Sequence, residues 1–291
     1  MAGGLKEVRE RITSVQNTMQ ITSAMKMVAA AKLRRAQDAI TRMRPFAEKL
    51  QGVLSNVSAS LDSSDSVYSQ QREVKRVLLV AITSNRGLCG GFNNNIVKAA
   101  NAAMTLEGVE YHVLGLGKKS HEAFVKRSEL KPVGFDEDAW KIYDDLNFGR
   151  AQKVATDIMT QFANGQYDAV QIIYNRFVNA GVQDVTKEGF LPLVALPSNT
   201  ETKTDTEYLF EPSQAEIVEE IIPSSLKVQL YKGLLDSNAA EHGARMTAMH
   251  QATENAGDML RDLRISYNKA RQASITTEIL EIVAGSEALS S

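Results

Sequence analysis

From Leu5 to Val57 the apolar residues of this chain fall three and four positions apart, and only Pro45 and Gly52 interrupt the stretch. Leu5, Val8, Ile12, Val15 and Met19 set the rhythm. It slips around Met25 and Ala29, then resumes at Leu33, Ala36, Ile40, Met43, Ala47, Leu50, Leu54 and Val57. Such alternation is a coiled-coil seam, and the slip predicts a local change of phase. At ~1.5 Å per residue, about 55 residues predict a rod of roughly 80 Å, longer than a compact core of this size needs. A second long helix is predicted beyond Pro223. Leu226, Leu230 and Leu234, then Met249, Ala252, Ala256, Met259, Leu263, Tyr267, Ala270 and Ser274, keep helical spacing. Gly233, Gly243 and Gly257 weaken it by up to ~1 kcal/mol each. Two long helices at opposite ends of one chain bury their seams most economically against each other, antiparallel.

A different period occupies the middle. After a serine- and aspartate-rich connection at Ser55–Ser69, Arg76–Thr83 reads as a buried strand. A glycine-rich loop, Ser84–Gly91, leads into a helix from about Asn93 to Met104. Strands are predicted at Val109–Gly115, Leu130–Phe135, Ala169–Tyr174 and Phe190–Ala195, and helices at Lys118–Arg127 and Gly149–Asn164. Strands alternating with helices indicate an α/β domain with a mostly parallel sheet. The predicted architecture is a long antiparallel coiled coil of N- and C-terminal helices with an inserted Rossmann-like α/β domain. Its parts are a first helix over 1–60, the α/β domain over 74–200 and a last helix over 210–288.

Composition narrows the functions open to such a chain. Basic and acidic residues number 33 and 35, so bulk charge argues against a dedicated nucleic-acid binder. One cysteine excludes an intrachain disulfide framework and a multi-cysteine metal site, and makes an intracellular setting the default expectation. The opening residues lack the apolar run of a signal peptide. Val77–Ile82 is the longest apolar run, far short of the ~20 residues of a spanning helix, so a soluble protein is expected. Charge is unevenly placed. Residues 1–50 hold ten basic and four acidic groups, a net of +6, whereas residues 201–222 hold seven acidic groups and one lysine. A basic amphipathic helix suits nucleic acid, a membrane surface or an acidic protein partner. Near the carboxyl end, the seam positions Ala270, Ser274 and Thr277 are small or polar, yet Ile275, Ile279, Leu280, Ile282, Val283 and Leu289 accompany them. The expectation is that other protein surrounds this end.

The chemical motifs fail individually. Gly87–Gly91 lacks the G-x-G-x-x-G spacing of a dinucleotide site and the Gly-Lys-Ser/Thr ending of a phosphate loop. Gly115–Ser120 lacks the four-residue spacer that a phosphate loop needs. His112, His121, His242 and His250 form no metal-ligand pattern, and Asp136-Glu137-Asp138 lacks the rest of a calcium loop. Cys89 has no base assigned to it. No catalytic, cofactor or metal site is expected. Without a further clue, two readings compete: a nucleotide-dependent enzyme, which leaves the terminal helices unexplained, and a coiled-coil adaptor for acidic partners, which leaves the α/β domain without a task.

Three separated stretches favour a third reading over both. They are Ile12–Lys32 with ITSVQNT and ITSAMKMVAAAK, Ser84–Asn93 (SNRGLCGGFN) and Tyr267–Ile279 (YNKARQASITTEI). Together and in this order they resemble the gamma subunits of F-type ATP synthases of the bacterial type, essentially end to end. The resemblance implies a central rotor shaft that couples ion flow through a membrane ring to conformational cycling of catalytic beta subunits. Its implied partners are a hexameric collar of alpha and beta subunits, the epsilon subunit and the ring of c subunits. Catalysis then lies on the beta subunits. The implied place is peripheral, on the cytoplasmic face of the bacterial inner membrane. By motif match, Arg271, Gln272 and Thr276 resemble the family's contacts with catch loops of the collar. Met25 and Lys26 resemble the position facing an acidic lever of a beta subunit. No second cysteine is available for the thiol switch of the plant chloroplast form.

Overall fold

The structure, a computed structural model, describes residues 2–60, 67–193 and 214–290. It divides into two compact units, Met1–Ala29 with Arg245–Ser291, and Ala30–Ala244. Helices α1 (Ala2–Ser60) and α5 (Gln214–Ser290) contribute to both. Pro45 and Pro223 lie inside them, so α5 starts before Pro223 instead of after it. Ile222, Leu226, Leu230 and Leu234 are buried around that proline, and their packing offsets its missing N–H.

In the first unit the seam is unbroken. Leu5, Val8, Ile12, Val15, Met19, Thr22, Lys26 and Ala29 are withdrawn from solvent along α1, in steps of three and four throughout. The predicted change of phase is absent. The polar Thr22 and Lys26 fill the positions that apolar spacing leaves blank. On α5 the facing positions are Met249, Thr253, Ala256, Leu260, Leu263, Tyr267, Ala270 and Ser274. Leu260 is buried and Met259 is 48% exposed, so the seam passes one residue further on than predicted. Cross-helix contacts set the register. Arg9 Nη2 donates to the Tyr267 hydroxyl at 2.8 Å, Thr253 Oγ1 donates to Thr22 Oγ1 at 2.9 Å, and Lys26 Nζ lies 3.2 Å from His250 Nδ1. As α1 climbs from 9 to 26, α5 descends from 267 to 250, residue for residue. The pair is antiparallel.

The second unit is built on a four-stranded sheet in the order β2-β1-β3-β4. Strands β1 (Arg76–Ile82), β2 (Glu110–Leu116) and β3 (Ala169–Phe177) are parallel; β4 (Gln183–Leu191) pairs antiparallel with β3. Alternate residues of the strands enter two cores. Leu78, Val80, Ile82, Ile172 and Tyr174 pack with α4 (Phe148–Ala163) and with Leu226, Leu230 and Leu234 of α5. Val77, Leu79, Ala81 and Ile173 pack with α2 (Phe92–Ala103) and with Phe124 of α3 (Lys118–Phe124). Helices on both faces explain why β1 is apolar from Val77 to Ile82.

Two predicted strands differ. Leu130–Phe135 is irregular, after a 3-10 turn at Ser128–Leu130, and a second such turn covers Ala139–Asp144. The last strand runs over Gln183–Leu191, earlier than Phe190–Ala195; residues 194 and 195 lie outside the described ones, as does 201–213 of the acidic stretch.

Candidate functional site

The α/β domain offers the first place to look, because open parallel sheets bind ligands beyond the carboxyl ends of their strands, where the strand order reverses. Here that point lies between β1 and β3. It is filled by the chain itself. Cys89 and Phe92 are buried there against Ala240 of α5, and Asn175 at the end of β3 donates to the Phe92 carbonyl oxygen at 3.1 Å. Asn93 stiffens the loop below: its Oδ1 accepts from Ser84 N at 2.9 Å, and its Nδ2 donates to Ser84 Oγ at 2.9 Å and to Cys89 Sγ at 3.2 Å. Cys89 is thus a packed turn residue.

The amides that would cradle a phosphate are also engaged. Gly117 N donates to the Trp140 carbonyl at 3.1 Å and Lys119 N to the Ser84 carbonyl at 3.2 Å. Lys118 N donates to Asn85 Oδ1 at 3.1 Å and Ser120 N to Thr83 Oγ1 at 2.7 Å. Four successive N–H groups are satisfied by the protein, so an incoming phosphate would have to displace each one. Among the described residues no group of three or more His, Cys, Asp or Glu is placed to hold a metal ion. Millimolar ATP or NAD is therefore expected to leave the unfolding midpoint of the isolated chain unchanged. A midpoint that rises with nucleotide concentration would contradict the filled crevice.

The surface of the helix pair is the second place. Met25 and Lys26 lie half-buried on α1, with Lys26 reaching across to His250. Arg271, Gln272 and Thr276 are exposed on α5, and Thr276 Oγ1 donates to the Gln272 carbonyl at 3.0 Å. The register places Lys26 level with His250, so Arg271 stands 21 residues further along α5, roughly 32 Å away at ~1.5 Å per residue. The five residues form two separate belts, one near the middle of the pair and one near its end. At that end, Ala2 of α1 stands level with about 273 of α5. Beyond Ser274, α5 continues for some 16 residues, roughly 24 Å, with no α1 residue opposite it among the described ones. Leu280 is 62% and Ile282 72% exposed there, with Ile275, Ile279 and Val283 exposed beside them.

Three features of the described residues escape sequence reading. His250 and Tyr267 become polar rungs through partners 224 and 258 residues away. The hydrogen bond from Arg9 to Tyr267 holds the guanidinium above its ordinary pKa. Leu88 stands exposed in the left-handed region at φ 64°, a conformation that no sequence signal for leucine announces.

The fold defines a class: an antiparallel coiled coil formed by the terminal helices of one chain, with a Rossmann-like domain inserted between them in sequence. Comparison with known proteins is specific. A family model described as ATP synthase matches residues 4–289. The ATP synthase gamma chains of Flavobacterium psychrophilum and Flavobacterium johnsoniae are 53% and 54% identical, each over 287 residues and 98% of both chains. A chain of the Tetrahymena thermophila mitochondrial ATP synthase central stalk/c-ring structure matches with a TM-score of 0.58 at 27% identity, over 80% of this chain and 99% of that one. A chain of the Euglena gracilis mitochondrial ATP synthase shares the fold, with a TM-score of 0.71 at 22% identity over 99% and 95% of the two chains. This chain belongs to the ATP synthase gamma-chain family, and as such is a subunit of the central stalk of that complex. No helix among the described residues is long and apolar enough to cross a membrane.

Proposed function

We propose that the chain is the non-catalytic rotor of an F-type ATP synthase, peripheral to the cytoplasmic face of a bacterial inner membrane. The helices of 1–60 and 210–288 serve as its shaft. The domain of 74–200 faces the epsilon subunit and the c-subunit ring. The alpha and beta subunits form the collar, and catalysis lies on beta. A rotating shaft acts by binding each conformation of the collar differently, because equal affinity shifts no equilibrium. Its surface must therefore be asymmetric, and here basic, apolar and small residues occupy different sides and levels of one helix pair. Met25 and Lys26 present a lever contact for an acidic segment of beta. Arg271, Gln272 and Thr276 present polar contacts for the collar's catch loops.

The observation that carries this reading is the run of α5 past the level of Ala2, with its isoleucines and leucine exposed. Such an apolar surface on a single helix is unfavourable in water and is stabilised inside a sleeve of other protein. Amide exchange tests it directly. Residues 275–286 are expected to exchange within seconds in the isolated chain and to slow by at least about a hundredfold once alpha and beta subunits are added. Equal exchange in the free and assembled chain would overturn the sleeve.

A further inference from the structure

At the middle belt, the imidazole of His250 lies between two charged neighbours. From α1, Lys26 Nζ approaches Nδ1 at 3.2 Å; from the next turn of α5, the Glu254 carboxylate stands 3.6 Å from Nε2. The chemistry of the three groups fixes the hydrogens. An ammonium has only hydrogens to give, so Nδ1 must supply a lone pair. The one ring hydrogen then sits on Nε2 and points toward Glu254. A single tautomer of neutral histidine satisfies both neighbours. The imidazolium has no lone pair for Lys26 and sets two cations side by side.

We infer that His250 is the positioning residue for Lys26, fixing its ammonium on the shaft surface for a partner carboxylate; this rests on the reading of Lys26 as a lever contact. A free lysine side chain holds rotamer entropy that docking would otherwise have to remove. The rung removes part of it in advance. One N–H of the ammonium goes to His250 and two remain for the incoming carboxylate. Glu254, on the far side of the ring, holds the tautomer and does not compete for Lys26 directly. The seam placement of Lys26, between Thr22 and Ala29, keeps its stem against the pair while the head reaches His250.

Two measurements test this. In the 15N-labelled full-length chain, with histidine neutral, two-bond nitrogen–proton correlations are expected to show His250 predominantly protonated on Nε2, with the preference lost in K26Q. An Nδ1–H tautomer, or a mixture that K26Q leaves unchanged, overturns the rung. The second measurement is ATP hydrolysis by the chain assembled with alpha and beta subunits, for H250F, H250Q, K26Q and H250F/K26Q. H250F is expected to lower the rate roughly threefold, the size of one exposed side-chain interaction. H250Q, whose side-chain oxygen still accepts from Lys26, is expected to restore it, and H250F is expected to add nothing to K26Q. A K26Q complex that matches wild type overturns the lever contact itself, and the task of His250 with it. A damaged K26Q complex beside a wild-type H250F, or effects that add in the double variant, overturns the role of His250 alone.

Discussion

Gly117→Val is expected to unfold the α/β domain. Gly117 links β2 to α3 with φ 114° and ψ 145°, a region that side-chain-bearing residues essentially never enter. A Cβ there would also collide with the carbonyl oxygen of Thr83, at the end of the central strand β1. Relief would require β1 and α3 to separate. That movement breaks the buried hydrogen bonds of Thr83 with Ser120, at 2.9 Å and 2.7 Å, each contributing about 1 kcal/mol. Backbone strain of ~1–3 kcal/mol adds to these losses. The expected total is about 4 kcal/mol, a large fraction of the ~5–15 kcal/mol that holds a domain together. Urea unfolding followed by Trp140 fluorescence reads this as a collapse of the midpoint. Gly90→Ala is the control: φ is 60° and the space beside it is open, so a loss of only ~1 kcal/mol is expected. Equal midpoints for the two variants would show that close approach at Gly117 is unimportant.

The second large effect is functional. Reversing charge at both belts, in K26E/R271E, is expected to reduce coupled ATP synthesis at least about tenfold while leaving the isolated chain as stable as wild type, within ~1 kcal/mol. Arg271 is exposed, and Lys26, half-buried on the seam, holds its ammonium at an exposed contact with His250, so folding has little to lose. An acidic lever on beta, in contrast, would meet repulsion in place of attraction. The belts stand roughly 32 Å apart along the pair, so the two losses should combine nearly additively. Arg271→Lys separates charge from geometry: it keeps the cation and loses the planar fork, so an intermediate loss is expected if the catch loop is held in two places at once. ATP-driven ion pumping in reconstituted vesicles, normalised to hydrolysis, measures the coupling. Wild-type pumping by K26E/R271E would remove both belts from the account.

Sequence reading reaches some of these elements and misses others for physical reasons. The seam from Leu5 to Met19 is legible because apolar burial leaves a 3.5-residue period. Thr22 and Lys26 continue that period without the signal. Their burial rests on a cross-helix hydroxyl pair and on a stem lying along the seam, and hydropathy then reads a phase slip. Met259 and Leu260 are adjacent and both apolar, so spacing alone does not choose between them. Strand β1, apolar on both faces, is unmistakable. Strand β4, QDVTKEGFL, lies at a sheet edge with mostly polar residues, and only its buried end at Phe190 and Leu191 carries a strand signal. The glycine-rich loops can be rejected as nucleotide sites by spacing. What closes them, though, is tertiary: Trp140, Asn85 and Thr83 supply acceptors that no motif records. The same holds for His250, whose partner across the pair becomes visible only when the register is known.

The central claim is that this chain turns inside its collar and that the turning carries the coupling. The most direct test fixes an assembled collar of alpha and beta subunits to a surface by the beta subunits, and attaches a bead to an exposed engineered cysteine on the α/β domain, Cys89 being buried. On addition of ATP the account predicts rotation of the bead in one direction, at a rate that follows nucleotide consumption. Sustained hydrolysis with the bead stationary, or wobbling without net direction, would contradict it.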